Sequence, residues 1–125
     1  MTSRVLPVRL LMSNVFLVQQ DRTIIVDAGS PGNAKTIIQR LARHGIQPHD
    51  VSLILLTHGH VDHFGSAAEL KQITGAPIAI HPADAAAPRA GRNPELLPTC
   101  LFGRILKPWL AWTQFTEPFE PDLLI

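Results

Sequence analysis

The run Val51-Ser52-Leu53-Ile54-Leu55-Leu56 opens directly onto Thr57-His58-Gly59-His60-Val61-Asp62-His63, and this junction constrains the fold more than any other feature. A short, nearly continuous apolar run reads as a strand inside a sheet. Packing alone does not explain three imidazoles and a carboxylate at the end of such a strand, because polar groups are costly to desolvate. The chain has six histidines, and half of them are here. Nitrogen and oxygen donors delivered together to a sheet edge are what a metal site needs.

The sequence alternates around that strand. Residues 5–11 and 15–19 read as a strand hairpin, and residues 23–27 as a third strand built on β-branched Ile24, Ile25 and Val26. Gln20-Asp21-Arg22 supplies the turn between the second and third strands. After the breaker-rich loop Ala28-Gly29-Ser30-Pro31-Gly32, Asn33 is placed to cap a helix over 34–44. Ile37, Ile38, Leu41 and Ala42 form one face of that helix. Gly45 stands where a left-handed cap is expected, and Pro48 prevents continuation. The strand over 52–57 is expected to be central and covered on both faces. Residues 66–74 read as a second helix with Ala67, Leu70 and Ile73 on one face, followed by the strand Ile78-Ala79-Ile80. Strand, helix, strand, helix, strand defines an α/β layered domain. Beyond Ala85, Pro88, Pro94, Pro98, Pro108, Pro118 and Pro121 break the pattern. The apolar stretch 101–113, with Trp109 and Trp112, predicts one or two short helices around Pro108.

Composition excludes several classes. A chain of 125 residues suits one domain. With 46% hydrophobic and 17% charged residues it is globular rather than disordered. A net charge of +1 gives no electrostatic footprint for nucleic acid. The single Cys100 forbids an internal disulfide and has no base nearby, so it reads as an inert thiol in a reducing, cytoplasmic setting. Ser13 and Asn14 interrupt the apolar stretch 10–18, which reads as part of a hairpin and not as a signal peptide. No run approaches the roughly 20 apolar residues that span a membrane. Gly29-Ser30-Pro31-Gly32 lacks the spacing and the lysine of a phosphate loop.

The cluster itself suggests an arrangement. His58 and His60 are two apart, so in extended chain they point the same way and can share one ion. If the chain turns into a helix beyond them, Asp62 and His63 can face the same cavity. Four ligands then serve two ions, two each. Gly59 is expected to let the backbone bend between the histidines, and Gly65 to permit the turn into the helix. A surface loop without a ligand role would suit one histidine better than three with an aspartate. His81 reads as a strand-exit histidine and not as a further ligand.

His-x-His-x-Asp-His after a hydrophobic strand resembles the metallo-β-lactamase superfamily of metal-dependent hydrolases. The likeness extends to Val15-Phe16-Leu17-Val18 and to Thr23-Ile24-Ile25-Val26-Asp27-Ala28-Gly29-Ser30-Pro31, which is similar to that family's opening hairpin and Asp-x-Gly turn. Gly75-Ala76-Pro77-Ile78-Ala79-Ile80-His81-Pro82-Ala83-Asp84 is similar to its next strand and exit. The resemblance covers about residues 8–85. It implies the N-terminal half of an αββα sandwich. Residues 1–125 then form a single, apparently truncated domain, with 8–85 as the core and 86–125 as a variable, Pro-rich, lid-like segment.

By this resemblance His58 and His60 are ligands of a first metal, and Asp62 and His63 of a second. Asp62 also orients or deprotonates the attacking water. Asp27 matches a carboxylate beneath the site that supports the ligands. Zinc is the implied cofactor, although iron and manganese accept the same donors. The implied reaction is metal-assisted hydrolysis of an ester, thioester or lactone carbonyl in a small-molecule substrate. The family's remaining ligands come from later strands, and no histidine follows His81 here. Phe119-Glu120-Pro121-Asp122 resembles the approach to the strand that precedes the third histidine. The alternative is a non-catalytic remnant that binds metal weakly or pairs with another chain. Either way, one sheet of a two-sheet core implies an uncovered apolar face and self-association through it.

Overall fold

The computed structural model describes residues 2–94, 101, 105 and 115–125. The chain opens with β1 (Arg4–Arg9) and β2 (Asn14–Gln19), a hairpin in which Val8 faces Val15. β3 (Thr23–Val26) adds antiparallel to β2. Helix α1 (Ala34–Arg43) then carries the chain over to β4 (Val51–Leu55), which lies parallel to β3. Helices α2 (Val61–Phe64) and α3 (Ala67–Thr74) lead to β5 (Ile78–Ile80), parallel to β4. After α4 (Ala86–Ala90) the chain returns as β6 (Leu123–Leu124), parallel to β5. The six strands therefore stand in sequence order. Parallel neighbours need a crossover, and the helices supply it. β6 follows directly on Phe119-Glu120-Pro121-Asp122, as expected.

One sheet face carries α1 and α3. Ile37 and Leu41 of α1 and Ala67 and Leu70 of α3 are buried against Val8, Val15, Leu17, Ile25, Ile54 and Ile78. Each of the buried Val, Leu and Ile side chains contributes about 1.5–3 kcal/mol on leaving water. Ile73, expected on the same stripe, is 43% exposed. At about 100° per residue it stands roughly 120° around the helix from Ala67. The helix expected from residue 66 is preceded by the separate single turn α2, which carries Asp62 and His63. Asn33 occupies the N-cap of α1 but makes no side-chain cap. Its Oδ1 accepts the Ser30 N–H at 2.8 Å, and its own N–H donates to Ser66 Oγ at 2.9 Å. It therefore closes the preceding loop rather than capping the helix. Gly45 has the left-handed backbone expected of it, with φ of +72°, and Gly75, which ends α3, has φ of +74°.

The opposite face is apolar and carries neither α1 nor α3; its residues range from buried at Ala79 to exposed at the sheet edges. Cross-strand partners point to the same side of a sheet, and the register sets Pro7, Phe16, Val26, Leu55, Ala79 and Leu123 in one row across all six strands. Val5, Val18, Ile24 and Leu53 form a second row. Exposure reaches 63% at Val5, 39% at Phe16 and 46% at Leu123. The expectation that β4 is covered on both faces is thus corrected. β4 is central, but Leu53 and Leu55 are only half-buried, because α1 and α3 lie on the other side.

The returning segment is pinned by Asp122. Its Oδ2 accepts the Ile78 N–H at 2.8 Å and its Oδ1 takes Lys71 Nζ at 2.6 Å. Burial alone would push this carboxyl up. The Lys71 hydrogen bond, the Ile78 N–H and the Lys71 charge outweigh burial and hold it below the usual aspartate range. A depressed carboxyl contributes stability above its unfolded pKa and loses it as pH falls through the folded one. Protection of the Ile78 amide against hydrogen exchange, corrected for intrinsic rate, should therefore be level at neutral pH and fall in acid. Asp122→Asn should flatten that fall, and the same profile in both chains contradicts the assignment.

Of the stretch 101–113, Leu101 and Ile105 are described and both are exposed. The helices expected around Pro108, and Cys100, lie outside the described residues. Among the described residues no helix is long and apolar enough to cross a membrane.

Candidate metal centre

β3 and β4 end side by side, with Val26 opposite Leu55. Immediately beyond, Asp27 takes a left-handed backbone, φ +66°, while its N–H donates to Leu55 O at 2.8 Å. Such a backbone costs a non-glycine residue on the order of 1 kcal/mol, and aspartate tolerates it better than most. What offsets the cost is the carboxylate, which is buried at 5% residue exposure. Its Oδ1 accepts the Thr57 N–H at 2.9 Å, and both oxygens lie within 2.9 Å of Thr57 Oγ1. Oδ2 also pairs with His63 Nδ1 at 2.9 Å.

This network sets two tautomers. An aspartate carboxylate only accepts, so the single Thr57 hydroxyl proton goes to Asp27 and His63 Nδ1 carries a proton. Thr57 Oγ1 also lies 2.9 Å from His58 Nδ1. With its proton committed, that oxygen accepts, so His58 Nδ1 is protonated too. In a neutral ring this arrangement leaves the lone pair on Nε2, the state in which imidazole binds metal. Burial lowers the His58 pKa first, and the neighbouring His63 and His60 rings lower it further. The charges of Asp27 and Asp62 oppose this and are outweighed, so the neutral ring is favoured.

The four expected ligands come together. The His58 and His60 rings meet edge to face with centroids 4.8 Å apart, and those of His58 and His63 are 4.0 Å apart. Asp62 Oδ2 lies 3.5 Å from His63 Nε2. Asp27 sits beneath them, touching His63 directly and His58 through Thr57. His81 stands apart and exposed, its Nδ1 accepting the Ala83 N–H at 3.1 Å to cap a 3-10 turn. Among the described residues no three His, Cys, Asp or Glu side chains are arranged to hold one ion. Imidazole and carboxylate chemistry suits a zinc-class cation, so the donor types gathered here fit such an ion.

Gly59 and Gly65 have a different reason from the one expected. Neither has a positive φ. A Cβ on Gly65 would lie 2.3 Å from Pro31 N, and one on Gly59 would lie 2.7 Å from Asp84 O. Both are glycine for space and not for a bend. The loop is further held by contacts that sequence reading missed. Ser13 Oγ donates to Asp62 O at 2.5 Å across 49 positions. The Gly59 N–H donates to Asp84 Oδ1, and the Val61 N–H to Asn93 Oδ1. Only Asp84 had a local signal, since it closes His81-Pro82-Ala83-Asp84. A cavity of about 330 Å³, lined in part by Pro31, Gly65, Glu69, Gln72 and Thr116, lies beside α3 and includes none of the four expected ligands.

A mixed sheet with α1 and α3 on one face, and imidazole and carboxylate groups gathered beyond the ends of parallel strands, defines an α/β layered domain. The chain belongs to the metallo-beta-lactamase superfamily, whose family model matches residues 8–97. It is 36% identical over 80 residues to hydroxyacylglutathione hydrolase of Haemophilus influenzae, covering 62% of this chain and 35% of that protein. It is 38% identical over 53 residues to metallo-beta-lactamase domain-containing protein 1 of Xenopus laevis, covering 42% and 23%. Among solved structures, a metallo-beta-lactamase of Cronobacter sakazakii shares the fold with a TM-score of 0.73 at 22% identity, over 90% of this chain and 39% of that one. The class B3 di-zinc metallo-beta-lactamase LRA-12 from an Alaskan soil metagenome gives 0.70 at 25% identity, over 90% and 39%. The chain thus spans about a third or less of these two curated relatives.

Proposed function

We propose that this chain carries the His58-x-His60-x-Asp62-His63 half of a two-metal hydrolytic centre, with His58 and His60 serving one ion and Asp62 and His63 the other. The carrying observation is the Asp27 network, which engages Nδ1 of His63 directly and Nδ1 of His58 through Thr57, so that Nε2 is the ring atom each can offer a metal. Zinc is the proposed metal, with iron or manganese as substitutes. When bound, the metal supplies Lewis acidity and a water acidified towards neutrality. Asp62 would orient the attacking water and accept its proton at the carboxylate. The target is an ester, thioester or lactone carbonyl of a small molecule in the cytoplasm. The relative named for hydrolysing hydroxyacylglutathione supports an acyl substrate.

A second reading, a non-catalytic chain that binds metal weakly or pairs with another chain, is favoured by the absence of a three-ligand set among the described residues. Calorimetric zinc titration of the 125-residue chain tests both. Two ligands per ion should give binding far weaker than a complete site and abolished by His58→Ala with His63→Ala. Retention of two ions per chain through dialysis contradicts the pairwise assignment. Zinc uptake indifferent to the double substitution removes the site altogether. Zinc-dependent hydrolysis of a thioester by the parent chain, lost in Asp62→Asn, decides for the enzyme over the second reading.

A further inference from the structure

We propose that Asp84 and Asn93 are positioning residues that set the direction of His60 by gripping the backbone amides on either side of it. This rests on the reading of His60 as a ligand. His60 is exposed and extended, with φ −107° and ψ 141°, so packing does not orient it. The flanking amides do. The Gly59 N–H donates to Asp84 Oδ1 at 3.2 Å, and the Val61 N–H donates to Asn93 Oδ1 at 2.7 Å. These bonds fix the peptide planes 58–59 and 60–61. Val61 opens α2, where the first N–H groups of a helix have no partner within it. His60 at the N-cap supplies no side-chain bond to them, and Asn93 meets that need from 32 positions away.

The grip rests on a hydrogen-bonded turn. Asp84 ends the 3-10 turn Pro82–Asp84 that leaves β5, with its own N–H on His81 O at 3.0 Å and the turn capped by His81 Nδ1. Contact with Asp84 O leaves no room for a side chain at Gly59, so the two segments meet backbone to backbone. Asn93 follows the left-handed Gly91, φ +69°, and the Arg92 N–H bonded to Ala87 O at 3.3 Å. β5 and its exit therefore hold the loop that leaves β4, and His81 buttresses the grip instead of binding metal.

Both parts of the proposal can be read separately on the full chain. In the metal-free protein, Asp84→Ala should speed hydrogen exchange at Gly59, and Asn93→Ala at Val61, while amides of β4 keep their protection. Cobalt(II) titration followed by visible absorption should then show each alanine variant weakened by about tenfold, the effect expected when a group supporting a ligand is lost. Asp84→Asn keeps an oxygen acceptor and should stay close to the parent. Unchanged exchange at both amides overturns the grip. Faster exchange with parent-like cobalt binding overturns its bearing on His60. If the parent chain takes up no cobalt, the metal reading itself fails. The positioning claim is then decided by the proton contact between the His58 and His60 rings: its loss in the alanine variants supports the claim, and its persistence overturns it.

Discussion

Asp27→Ala should destabilise this chain by about 1–3 kcal/mol, the cost of leaving buried hydrogen-bonding groups unsatisfied. Two effects act together. The carboxylate is the common acceptor for the Thr57 N–H, the Thr57 hydroxyl and His63 Nδ1, and its removal leaves part-buried donors without a partner. Alanine also tolerates the φ of +66° worse than aspartate does. A series separates the two. Asp27→Gly removes the carboxylate but relieves the backbone. Asp27→Asn keeps the backbone preference and one acceptor oxygen. If the carboxylate dominates, urea melts should rank parent, Asn, Gly, Ala in falling stability, with Gly close to Ala. A glycine variant more stable than the parent contradicts this and makes the backbone the main term. The same series reads the site. Without Asp27 nothing fixes His63 in its Nδ1–H tautomer, so the His63 ring in the alanine and glycine variants should show mixed tautomers by nitrogen NMR, whereas the parent shows one.

How much of this was legible in the sequence depends on distance along the chain. The strand–helix alternation was readable because it rests on local patterning, and the Gly45 cap falls where the sequence puts it. The site cluster was readable because His58, His60, Asp62 and His63 are adjacent in sequence and a strand end brings them into one place. Asp27 was found through resemblance, and its left-handed backbone was not foreseen. Ser13 and Asn93 were invisible. Their partners lie 49 and 32 positions away and are backbone atoms, which leave no mark in a sequence. Asn33 misled because a capping residue in the right place has two possible customers, and the preceding loop won its oxygen. Ile73 misled because three-residue spacing from Leu70 was read as one face, although six residues from Ala67 is not. The register shift between Thr23 and Ile24, which leaves Ser52 out of the β3–β4 ladder, has no sequence cue either.

The 125-residue chain should self-associate through the sheet face opposite helices α1 and α3, and Phe16→Lys with Leu123→Lys should suppress this. Pro7, Phe16, Val26, Leu55, Ala79 and Leu123 form a continuous apolar row across the sheet, with Val5, Val18, Ile24 and Leu53 beside it. Apolar surface gains roughly 25 cal/mol per Å² on leaving water, and contiguous patches of more than a few hundred Å² are seldom left bare on monomeric proteins. A second copy supplies a matching apolar face of the same shape. Phe16 and Leu123 are already 39% and 46% exposed, so lysine there costs the monomer little and places two charges in the contact. Sedimentation should show the parent as a dimer or larger at micromolar concentration, and the double variant as a monomer with the same far-ultraviolet circular dichroism. Arg40→Glu, on the helical side, should leave association as it is. A parent chain that stays monomeric over a hundredfold range of concentration, or association that falls equally with Arg40→Glu, would mean that this face is not what brings the copies together.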